Sequence, residues 1–165
     1  MGIALFLVVF LPSSGSSGAE PLSEDAYFAQ LGESMDDLQL RFAEVPLSVY
    51  AITGGNAGAD AESRNATARG LRELSASADE FRRNLAALPP PRQFSDAHGD
   101  LVDASGAMGT LFNEIADQVA GDQPFEDVEG DLLGLLDSGP MTGFLAACAE
   151  LEGLSGGRFD ANCDS

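Results

Sequence analysis

Three runs of apolar residues at alternating spacings of three and four set the limits on what this chain can fold into. The first is Phe28, Leu31, Met35, Leu38, Phe42, Val45, Val49 and Ile52. The second is Leu71, Leu74, Ala78, Phe81, Leu85 and Leu88, and the third is His98, Leu101, Ser105, Met108, Phe112, Ile115 and Val119. That rhythm gives a helix one continuous apolar stripe. Helices of this kind bury their stripes against one another with coiled-coil-like packing. The pattern therefore predicts an all-α fold, an antiparallel up-down four-helix bundle. Bundles serve as haem carriers, metal sites, cytokines and scaffolds, so function must come from side chains carried on the seam.

Local signals set the expected boundaries. Helix 1 is expected over about 23–53, with Ser23 as cap and Glu24 and Asp25 at the positive end of the dipole. Pro46 should kink it without ending it, because the stripe stays in phase through Val49 and Ile52. Gly54-Gly55 should end it. Helix 2, about 60–88, is stopped by Pro89-Pro90-Pro91, since the residue before a proline leaves helical geometry. Helix 3, about 95–120, should open with Ser95 as cap, and Gly99, Gly106 and Gly109 make it the weakest by propensity. Those glycines would be explained if a neighbouring helix approached closely there. A fourth helix is expected in two pieces, 124–137 and 141–154, broken at Ser138-Gly139-Pro140, with a tail from Gly153 onward.

The apolar run Ile3 to Leu11, followed by the small residues Ser17-Gly18-Ala19, reads as a signal peptide over 1–19 with cleavage before Glu20. An uncleaved signal anchor is the alternative, because no Lys or Arg precedes the run. Residues 20–165 then form one domain. No other segment approaches the roughly 20 apolar residues of a membrane span. Two cysteines in a chain read as exported, Cys148 and Cys163, predict one intramolecular disulfide that ties the tail to the last helix.

The formal charge is −19, and all eight cations are arginine. Residues 24–44 carry a net −5, 93–122 a net −6 and 125–137 a net −5, whereas 61–92 carry +2. Helix 2 should therefore relieve repulsion among acidic neighbours. The remaining negative surface argues against nucleic acid and anionic lipid, and for a basic protein surface or an envelope component as partner.

Candidate sites are few. His98 occupies a seam position among Asp96, Asp100 and Asp103. Those aspartates fall at i, i+4 and i+7 and share a helix face, which could hold a divalent cation. A lone histidine builds no ordinary zinc site, and the Glu-x-x-His pairs of di-iron bundles are absent. Haem through His98 and one of Met35, Met108 or Met141 is the other ligand option. No Gly-x-Ser-x-Gly or phosphate loop is present, which leaves only a carboxylate pair for catalysis, and no catalytic, cofactor-binding or metal residue is assigned.

The stretch Pro89-Pro90-Pro91-Arg92-Gln93-Phe94 leading to His98 and Leu101, with the ending Cys148 to Cys163, resembles uncharacterised secreted or envelope helical-bundle proteins of high-GC, actinobacterial type. The resemblance covers residues 89–165 and implies export, a bundle and a disulfide. It implies no activity. The sequence reading is an exported, non-enzymatic bundle, an interaction or structural module of the envelope or extracellular space, with no cofactor. A ligand-binding bundle holding a divalent cation or haem is the alternative, and a carboxylate-based hydrolase the third.

Overall fold

The computed structural model describes residues 20–44, 60–121, 124–161 and 163. Among them are five helices and no strand: α1 Glu24–Glu44, α2 Ala61–Ala87, α3 Ser95–Ala120, α4 Phe125–Leu133 and α5 Gly139–Ser155. The fold is all-α, and its packing is compatible with the expected up-down bundle. The expected leader, 1–19, and the expected kink at Pro46 and end at Gly54-Gly55 lie outside the described residues.

The α2–α3 hairpin is the most extensively packed pair. Asp60 starts α2 by accepting the Ser63 backbone N–H at 2.8 Å, which satisfies one of the donors a helix start leaves open. At the other end Leu88 turns extended (ψ 120°) ahead of the prolines, as expected. The two helices run antiparallel. Arg64 near the start of α2 donates to the carbonyls of Val119 and Gly121 at the end of α3. Midway, the Ser75 hydroxyl donates to the Gly109 carbonyl at 2.8 Å. A Cβ on Gly109 would come within 3.5 Å of Ala78 Cβ, so this glycine does mark a close helix approach. Gly99 faces open space instead.

Ser95 is not a cap. A 3-10 turn at Arg92–Phe94 runs directly into α3, and Phe94 takes the cap position without a side-chain bond. The cause is burial: Phe94 is drawn into the core against Tyr27 and Phe28, with ring centroids 5.9 and 4.9 Å away. The fourth helix is broken, but over Gly134 to Ser138 rather than at 138–140. Ser138 caps α5, and Pro140 sits in its first turn, where a missing N–H costs nothing.

The tail begins later than expected. α5 runs to Ser155, and Gly156 and Gly157 adopt φ of 63° and 86°, left-handed values that favour glycine. They turn the chain back, and the Ser155 hydroxyl accepts the Gly157 and Phe159 N–H groups. Phe159, Ala161 and Cys163 are then buried, and Cys163 is bridged to Cys148 with a Cα separation of 5.7 Å.

The core joins α1, α2, α3 and α5. Phe81, Leu85, Phe112 and Ile115 are buried in it, and partly buried Phe42 packs edge-on to Phe112 at 5.7 Å. α1 leans on α2 and α5 on α3, while α1 and α5 scarcely meet. The returning tail bridges them: Phe159 stacks on Phe28, the Gln39 side chain donates to the Ala161 carbonyl, and Arg158 pairs with Glu24.

Candidate functional site

His98 is held where α1, α2 and α3 meet. Its seam position in α3 turns it inward, and it is 6 % exposed. Tyr27 of α1, fully buried, lies with its hydroxyl 3.0 Å from His98 Nδ1. The backbone of Leu85, in the last turn of α2, also acts on the ring. The buried Tyr27 hydroxyl would leave its hydrogen without an acceptor unless it donated to Nδ1, which assigns the ring proton to Nε2.

Burial lowers the His98 pKa below the ordinary imidazole value, and the Leu85 backbone opposes the shift. Burial also pushes the Tyr27 hydroxyl up to about 12. Both side chains are therefore neutral at pH 7. With its lone-pair nitrogen occupied, His98 is committed to the packing of three helices and is a poor axial ligand or general base.

Asp96, Asp100 and Asp103 are exposed on α3. Among the described residues no three or more His, Cys, Asp or Glu side chains are grouped so as to hold a metal ion. The helical spacing puts these aspartates along one face but no other element brings a fourth donor to them. Across the molecule none of the described carboxylates is buried.

The arginines are used differently. Arg41 bonds to Asp37 and to Glu80, Arg72 to Asp117, Arg82 to Asp79 and Arg158 to Glu24, while Arg64 serves the end of α3. The Arg72–Asp117 pair links α2 to acidic α3 as the charge distribution predicts, whereas in Arg41–Glu80 the arginine comes from α1 and the carboxylate from α2. Within α2, Asp79 pairs with Arg82, one turn away.

A feature that sequence reasoning missed is a cleft of about 250 Å³ between α1 and α5. It is lined by Met35, Leu38, Gln39 and Phe42 of α1, Met108 of α3, Met141, Phe144, Leu145 and Cys148 of α5, and Ala161 and Cys163 of the tail. No charged side chain lines it. Three of the four methionines of the chain converge there, and their seam or near-seam positions were the only available signal. His98 is not among its lining residues and opens onto another cleft, beside Pro89 and Pro90.

No protein family matches this chain, and neither curated proteins nor solved structures contain a significant match. The geometry alone must carry the functional reading. No helix among the described residues is long and apolar enough to cross a membrane.

Proposed function

We propose that the chain is an exported, non-enzymatic helical bundle that acts as an interaction module in the cell envelope or outside the cell, presenting its acidic surface to a basic partner. The observation that carries this reading is the asymmetric use of charge. Five of the eight arginines are engaged with carboxylates or helix-end carbonyls of the same chain, while every described carboxylate reaches solvent. The surface left over is strongly negative, and a partner of opposite sign is steered to it. The disulfide is compatible with an oxidising compartment.

Titrating the mature protein with an arginine-rich peptide at rising salt tests this. Binding should weaken steeply with salt, and the triple variant Asp96→Asn, Asp100→Asn, Asp103→Asn should bind several-fold more weakly. Equal binding to a neutral peptide of the same length refutes the reading.

The ligand-binding alternative keeps one supporting observation, the uncharged cleft between α1 and α5. Methionine-rich walls adapt to varied apolar shapes, so the ligand that fits is an apolar molecule. A divalent cation finds no carboxylate there, and haem finds no histidine. An apolar fluorescent probe displaced by Met108→Lys would favour this alternative.

A further inference from the structure

The Tyr27–His98–Leu85 junction does more than pack. It is the one buried cluster of titratable side chains among the described residues, and each member comes from a different helix. We propose that it is an acid-operated latch, in which protonation of His98 releases the start of α1 from the α2–α3 hairpin.

In the closed state Nδ1 accepts from the Tyr27 hydroxyl and Nε2 carries the ring proton. A proton added to Nδ1 converts this acceptor into a donor. Two donors then confront each other, and the Tyr27 hydrogen, on a fully buried side chain, loses its acceptor. A buried donor without an acceptor and a buried charge are both unfavourable, and undocking α1 relieves both.

The charged and titratable groups around the ring do not prevent this. α1 presents Tyr27, whose hydroxyl is neutral, α2 presents only the Leu85 backbone, and the 3-10 turn presents the ring of Phe94. On α3 itself Asp96 and Asp100 point to solvent. Asp103 is exposed on the cleft of about 480 Å³ that His98 shares with Ser95, Val102 and the Pro89-Pro90 stretch. No carboxylate is buried beside the imidazole to neutralise it. The same cleft gives protons a route to the ring.

The pH dependence has a definite sign. The folded-state pKa of His98 is depressed, so the undocked chain binds the proton more tightly. The latch is then closed above the ordinary imidazole value near 6.5, weakens by up to about tenfold per pH unit as pH falls from there toward the lower folded value, and changes no further below it.

One histidine in the chain gives one imidazole signal, so the test is direct. Proton NMR of the full protein should show His98 titrating below 6.5. Hydrogen exchange at α1 amides around Tyr27, corrected for intrinsic rates, should accelerate about tenfold between pH 7 and 5, with α2 and α3 unchanged. In His98→Gln that acceleration should vanish, although all carboxylates remain. Tyr27→Phe removes the opposing donor, so its imidazole should titrate at higher pH than in the wild type, a readout that stands even if His98→Gln does not fold. Titration at or above 6.5 in the wild type, an unchanged value in Tyr27→Phe, or acceleration of all helices together overturns the latch.

Discussion

Phe81 is 3 % exposed and meets Phe144 edge-on at 6.1 Å, which ties α2 to α5 through a single side chain. Phe81→Ala should therefore destabilise the protein by about 3–5 kcal/mol in urea unfolding. Gly99 lies at the opposite extreme. A methyl there meets nothing within 4 Å, so Gly99→Ala should stabilise α3 by about 0.5–1 kcal/mol in the same assay. Tyr27 adds a limit at high pH: its hydroxyl is held up to about 12 when folded, against 10 when free, so stability should fall between those values and Tyr27→Phe should remove the fall. Individual residues were legible in proportion to how much their fate depends on period alone. The seam placed Phe42, Phe81, Leu85, Phe112 and Ile115 in one core from spacing, and of these Phe42 is only partly buried. It placed His98 on the buried face too, but the partner that fixes its tautomer, Tyr27, stands 71 residues away and has no local signature.

At the scale of elements, helix starts and stops governed by one side chain or one proline were readable, as at Asp60 and Leu88. Those governed by distant packing were not. Ser95 has the chemistry of a cap, yet the burial of Phe94 carries a 3-10 turn straight into α3 and takes the position from it. Pro140 looked like a break because proline stops helices in their interior, but it is accommodated in the first turn of α5. The cleft between α1 and α5 could not be read at all, since it arises from how far apart two helices lie. The tail that spans the same gap leads to a prediction. Cys163→Ser should cost about 3 kcal/mol in chemical unfolding, from loop closure across 15 residues. Mass spectrometry before and after reduction should show a two-proton gain for the wild-type chain; two free thiols in freshly purified protein would contradict the bridge.

For the molecule as a whole, a charge of −19 with no described carboxylate buried means that screening should help folding. Thermal melts should rise with sodium chloride, and calcium at matched ionic strength should add no more, because no metal-holding group exists among the described residues. Arg72→Glu should lower the melting temperature, since it places like charge against Asp117, now 2.8 Å from the guanidinium. Asp100→Arg should leave it level or raise it. The spread of contacts along the chain also orders assembly in time. The α2–α3 hairpin is built from neighbours in sequence and can form as soon as residues 60–121 are available. The joint between α1 and α5 cannot: Gln39 waits for Ala161, 122 positions on, and Glu24 waits for Arg158, 134 positions on. During vectorial synthesis or translocation the N-terminal helix thus emerges first and is locked last. The hairpin covers most of its apolar stripe early, and the side that the tail closes, at Phe28 and Gln39, stays open until the end of the chain has appeared.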